Sequence, residues 1–141
     1  MSSNTPDSTL RLAVLLSGSG SNLQALIDAI ESKELPGVEI ALVVSNNPKA
    51  YGLQRALKHA LPVIYLPWRQ ANVGAARSAQ IIAPKFDDAT PQIREMSENE
   101  TLLTSLLHIF HVDLIVLAGW LRILSAPFLA QFSRRVINLH P

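Results

Sequence analysis

Two stretches of this 141-residue sequence place reactive residue types at a useful spacing. The first is "SGSGSN", Ser17 to Asn22, directly after the apolar run "RLAVLL". Gly18 and Gly20 allow the backbone to turn sharply and to approach a ligand closely. Ser21 and Asn22 then open a helix, where backbone N–H groups lack intrahelical partners and the helix dipole favours an anion. The second stretch is "NLHP". Asn138 and His140 are two apart on a predicted strand, so they point to the same side. A histidine exchanges a proton near neutral pH. An asparagine amide donates to an oxygen that gains negative charge. Together they suit acyl transfer through a tetrahedral intermediate.

Both stretches also have plainer readings. A strand-to-helix turn needs glycine without binding anything, and a strand-terminal histidine can be satisfied by backbone. Two familiar phosphate patterns fit poorly. A dinucleotide loop wants a third glycine where Leu23 stands, and an acidic residue near the end of the next strand, which here reads "VVSNN". A nucleoside-triphosphate loop ends in Gly-Lys-Ser/Thr, which is absent here. A single phosphate, such as that of a sugar phosphate, remains.

The elements that must position these residues alternate. Leu10–Ser17 reads as a short apolar strand buried on both faces. The segment "SNLQALIDAIES" follows, with Leu23, Leu26, Ile27 and Ile30 at helical spacing. Val38–Ser45 is a second strand, "NNP" a turn, "AYGLQRALKHA" a helix and "LPVIYLP" a short third strand. Residues 68–98 mix Gly, Pro, charge and apolar residues without a sustained period and are expected to be an atypical loop or an insertion. "NETLLTSLLHIF" returns to helical spacing, Val112–Gly119 is the clearest buried strand, and "SAPFLAQFS" is a short helix. In that helix Ser125 suits the N-cap and Pro127 the first turn. "RRVINLHP" is the last strand.

This order predicts an α/β, Rossmann-like, mostly parallel sheet with helices on both faces. The carboxyl ends of all strands then share one edge, where such sheets bind ligands. "SGSGSN", "SNNP", "AGWLRIL" and "NLHP" all fall at that edge.

Composition narrows the class. The length suits one domain, and nearly half the residues are apolar, enough for a core. A net charge of +1 argues against nucleic acid or an acidic membrane as partner. Without cysteine there are no disulfides and no thiolate metal sites. The N-terminal "MSSNTPDST", residues 1–9, reads as a disordered tail and not as a signal peptide. No apolar run reaches the roughly 20 residues of a membrane helix. The expectation is a soluble, cytoplasmic protein. His59, His108 and His111 fall on or just after helices and read as structural.

Four motifs in order, "LLSGSGSNLQALI", "VVSNNPKAYGLQRA", "DLIVLAGWLRILS" and "VINLHP", resemble glycinamide ribonucleotide formyltransferases, the folate-dependent enzymes of purine synthesis. The resemblance covers residues 10–67 and 112–141 and fails across 68–98. It implies that Gly20, Ser21 and Asn22 hold the ribonucleotide phosphate. It further implies that Leu121, Arg122, Ile123 and Leu124 line the pterin pocket of 10-formyltetrahydrofolate, partly through backbone groups. Asn138 would bind the formyl oxygen and His140 would be the general acid. No metal is implied. The partners are then two small molecules, and the oligomeric state is left open. Taken alone, "AGWLRIL" also reads as a buried strand end with an outward Arg122, and "SNNP" as a turn shaping the phosphate side of the cleft.

The family also uses an aspartate well downstream of its Asn-x-His motif, which raises the pKa of the histidine. Pro141 comes before any such residue, so the C-terminal part of the family fold is expected to be missing. This stretch then carries the phosphate half of the site and the start of the catalytic half, with little or no turnover by itself and an unpaired sheet edge. Arg77 and Arg94 are both candidates for a folate-contacting arginine. Alternative readings are another folate-dependent formyl transferase or hydrolase, or a non-catalytic phosphate-binding remnant. A dinucleotide oxidoreductase is disfavoured by Leu23 and "VVSNN".

Overall fold

The computed structural model describes residues 9–68 and 96–139. The described residues form β1 (Leu10–Leu16), α1 (Ser21–Glu31), β2 (Val38–Ser45), α2 (Tyr51–Lys58), β3 (Val63–Tyr65), α3 (Glu98–Ile109), β4 (Leu114–Ala118), α4 (Ala126–Gln131) and β5 (Val136–Leu139). The strands form one sheet in the order β3-β2-β1-β4-β5, and every pairing is parallel. Order reverses between β1 and β4, so the two loops that leave these neighbouring strands face each other across the switch point.

The run "LAVLL" is continuously apolar because β1 is central and covered on both faces. Leu12, Val14 and Leu16 pack with Leu23 and Ile27 of α1 and Ala56 of α2. Ala13 and Leu15 pack on the opposite face with Leu103 and Leu107 of α3, and with Phe128 and Phe132 from α4 and its end. Helices therefore cover both faces, as the alternation implies. Leu23 and Ile27 are one turn apart on α1, which is what a single buried stripe requires.

Strand β2 carries one irregularity. Leu12 pairs with Ile40, but Ala13 pairs with Leu42, so Ala41 is an extra residue. Ala41 and Leu42, neighbours in sequence, both join the α3–α4 side of the core. A bulge of this kind shifts the register beyond it by one residue. Leu16 is thereby level with Ser45, and the residues that follow, Ser17 and Asn46, meet above the sheet edge.

Helix ends follow their local chemistry. In α3, Ser97 and Glu100 form a capping box, and the helix begins at Glu98, inside the segment expected to be irregular. In α4, Ser125 Oγ accepts from Phe128 N at 3.3 Å, with Pro127 in the first turn, as the sequence suggested. At the opposite edge of the sheet, Arg11 ties three elements together. Its side chain reaches Glu39 and, at 3.0 Å, the Phe110 carbonyl, while its N–H donates to Asp113 at 2.9 Å. Strand β5 pairs with β4 on one side, and Ile137 on it is exposed.

Candidate active site

The glycine loop is shaped from behind by α2. Gly20 is the N-cap of α1 with φ +78°, in the left-handed region. A Cβ on Gly20 would lie 2.5 Å from Gly52 Cα, so glycine is required for conformation and for space. Gly52 is glycine for a similar reason, since a Cβ there would come within 2.7 Å of Leu16. Gly52 N donates to Gly18 O at 3.0 Å. Arg55, one turn further along α2, donates from Nε to Ser19 O at 2.8 Å. Gly18, by contrast, has open space around it and no positive φ.

No side chain caps α1. Its first intrahelical bond runs from Gln24 N to Gly20 O. The N–H groups of Ser21 and Asn22 precede that bond and have no acceptor within the helix. Ser21 is exposed and Asn22 half-buried. A phosphate placed there would receive backbone N–H donors, the hydroxyl of Ser21 and the positive end of a helix dipole.

Ser17, buried to 6% exposure, joins this loop to the rest of the edge. Its N–H donates to Gly119 O at 3.1 Å, and its hydroxyl accepts from Leu121 N at 3.0 Å. The same hydroxyl donates to Asn46 Oδ1 at 2.6 Å, while Asn47 Nδ2 donates to Ser17 O at 3.2 Å. One serine thus binds the ends of β1, β2 and β4 together. "SNNP" is indeed a turn, closed by Lys49 N donating to Asn47 Oδ1 at 3.0 Å, and its two asparagines also hold Ser17.

Beyond β4 the chain turns at Gly119, φ +79°. Leu121 and Ile123 are 78% and 89% exposed, Arg122 is exposed, and Leu124 packs partly against the core. The reading of this segment as a buried strand end is therefore wrong. The left-handed turn at Gly119 lifts it off the sheet, and it presents an apolar ledge to solvent. Glu100, 2% exposed, anchors the far end of the ledge: its carboxylate accepts from Ser125 N at 2.6 Å and Ser125 Oγ at 2.7 Å. Behind the ledge Trp120 meets Trp68 edge to face, with centroids 5.1 Å apart. The Trp120 Nε1 is buried and has no acceptor among the described residues.

Asn138 is exposed on β5 and level with Leu117, which is itself level with Leu15. In-register neighbours of a parallel sheet point to the same side, so Asn138 shares the face of Leu117, the side of Trp120 and Leu124. Two strand spacings separate β5 from β1, about 10 Å. His140 lies outside the described residues, as do Arg77 and Arg94. The remaining histidines stand away from this edge, with His108 and His111 exposed. His59, at the end of α2, pairs with Glu31 at 2.8 Å, His108 lies against Phe132, and His111 precedes β4. Among the described residues no group of three His, Asp or Glu side chains is arranged to hold a metal, and no helix is long and apolar enough to cross a membrane.

Sequence reasoning did not single out Ser17, Arg55 or Glu100. Ser17 had a weak signal, a polar residue closing an apolar run. Glu100 had the Ser-x-x-Glu spacing of a capping box. Arg55 had none beyond its place in the second motif.

The chain is 42% identical over 132 residues to the trifunctional purine biosynthetic protein adenosine-3 of Drosophila melanogaster, covering 93% of this chain and 8% of that protein. It is 39% identical to phosphoribosylglycinamide formyltransferase of Dictyostelium discoideum, covering 94% of this chain and 60% of the relative. Among solved structures, phosphoribosylglycinamide formyltransferase from Coxiella burnetii superposes with a TM-score of 0.70 at 33% identity, over 94% of this chain and 52% of that one. The chain thus spans about half the length of these two formyltransferases. Residues 10–141 match the family model described as formyl transferase, and on that span the chain belongs to the formyl transferase family.

Proposed function

We propose that this chain supplies the phosphate site and one wall of the folate site of a glycinamide ribonucleotide formyltransferase. The observation that supports it most is the Ser17 junction. It brings an uncapped, glycine-shaped helix N-terminus beside an exposed apolar ledge, as a phosphorylated amine and a bicyclic folate would need. Gly20, Ser21 and Asn22 bind the ribonucleotide phosphate. Leu121, Ile123 and the backbone of the 121–124 segment cover the pterin. When bound, 10-formyltetrahydrofolate supplies the activated formyl group.

Asn138 donates its amide to the formyl oxygen as charge develops on it, and a preorganised donor of this kind is worth about 2.7–4 kcal/mol of barrier. His140 acts as the general acid, moving the proton released by the attacking amine towards the departing folate nitrogen. The reaction belongs to the cytoplasm and takes two small-molecule substrates without a metal.

Titration calorimetry with glycinamide ribonucleotide and with its dephosphorylated riboside tests the phosphate assignment. The 141-residue chain should bind the first saturably and the second much more weakly. Equal binding of both would refute the loop's role. Steady-state formyl transfer by the 141 residues alone should stay far below the roughly 1 to 1000 per second typical of enzymes. Turnover in that range would show that these 141 residues suffice. Adding water, glycinamide ribonucleotide or other amines as acceptors distinguishes this reading from a hydrolase or another formyl transferase.

A further inference from the structure

We infer that Arg55 is a positioning residue for the phosphate loop, acting through the backbone of Ser19 and Gly20 and adding a positive charge behind it. The inference rests on the reading of Gly20–Asn22 as a phosphate site. The geometry is specific. Arg55 Nε donates to Ser19 O at 2.8 Å, and Nη1 donates to Gln24 Oε1 at 3.3 Å. One guanidinium therefore spans the loop carbonyl before Gly20 and the first turn of α1. Its Cδ lies 3.3 Å from where a Gly20 Cβ would stand, so the aliphatic stem closes the space behind the loop. The guanidinium carbon sits 4.8 Å from the centroid of the Tyr51 ring, over whose face a cation is attracted.

The charges around it favour an anion in front. Neither α1 nor α2 has an acidic residue in its first turn. The nearest carboxylate in the network, Asp28, is engaged at one remove, accepting from Gln24 Nε2 at 3.0 Å. A carbonyl held by a guanidinium cannot swing toward the anion, and the N–H of the same planar trans peptide, that of Gly20, is fixed on the side away from Arg55. Lysine cannot reproduce this, because it lacks the planar fork and the ring stacking. No other described side chain bridges Ser19 and α1.

The test is the affinity of the 141-residue chain and its Arg55→Met and Arg55→Lys variants for glycinamide ribonucleotide and for the riboside. Arg55→Met should weaken ribonucleotide binding about tenfold or more, as loss of a charged hydrogen bond does. Riboside binding should be unchanged. Arg55→Lys should recover only part of the loss. Amide exchange at Ser19–Asn22 should speed up in both variants. If wild-type protein prefers the ribonucleotide and Arg55→Met keeps the whole preference, the role of Arg55 is refuted while the phosphate site stands. If wild-type protein shows no preference, the phosphate site falls and Arg55's role with it. Should Arg55→Met fail to fold, Arg55→Lys decides: wild-type affinity with unchanged loop exchange overturns the inference.

Discussion

Gly20 and Gly18 differ by two positions in sequence and by several kcal/mol in what an alanine there should cost. At Gly20 the backbone has φ +78°. An L-residue in that region loses about 1–2 kcal/mol. The new Cβ would also stand 2.5 Å from Gly52 Cα, a backbone atom on a helix that cannot yield without moving. Overpacking of this kind costs about 1–3 kcal/mol, so Gly20→Ala should lose about 2–5 kcal/mol in total. At Gly18 nothing lies within 4 Å of the added methyl and the backbone is ordinary, so Gly18→Ala should stay within about 0.5 kcal/mol. Urea unfolding followed by far-ultraviolet circular dichroism measures both. With a slope of about 2 kcal/mol per molar, the Gly20→Ala midpoint should fall by about 1–2.5 M and that of Gly18→Ala should barely move. The displaced loop should also lose ribonucleotide affinity. An unchanged midpoint for Gly20→Ala, or an equal fall for both variants, would refute the packing of the loop on α2.

Two further outcomes follow from the site. Ser17→Ala strands the Leu121 N–H and the Asn46 amide oxygen and should cost about 1–3 kcal/mol; the amide resonances of Gly119–Leu121 should shift most in a heteronuclear NMR spectrum, and shifts confined to Ser17's own strand would count against the junction. Ile123→Ala should leave stability within about 0.5 kcal/mol because the side chain is exposed, yet weaken 10-formyltetrahydrofolate binding in a fluorescence titration, and unchanged folate affinity would remove Ile123 from the pocket.

Much of the fold was legible because burial on two faces leaves a plain mark. Val38–Ser45 stands as a strand over the same residues that its apolar run suggested, and α4 starts after Ser125 because a serine followed by a proline in the first turn is local chemistry. The bulge at Ala41 was not legible. "IALVV" looks the same with or without an extra residue, since a parallel strand buried on both faces is a continuous apolar run with no alternation to mark a slip. The ledge at Leu121–Leu124 was ambiguous for a related reason: leucine and isoleucine read as buried until the left-handed turn at Gly119 shows that the chain has left the sheet.

What the sequence determined by itself is the set of local preferences: which segments are strands or helices, where two glycines permit a turn, and which polar residues gather at the carboxyl edge. Those depend on neighbours along the chain. What only the tertiary structure decided is which of those residues meet. Gly20 rather than Gly18 is the constrained glycine because Gly52 approaches it from another helix. Ser17 is the junction because a one-residue slip in β2 brings Asn46 level with it while β4 delivers Leu121 from the other side. Contacts between residues about 30 and 100 positions apart depend on strand order and register, and these emerge only when the whole sheet is packed.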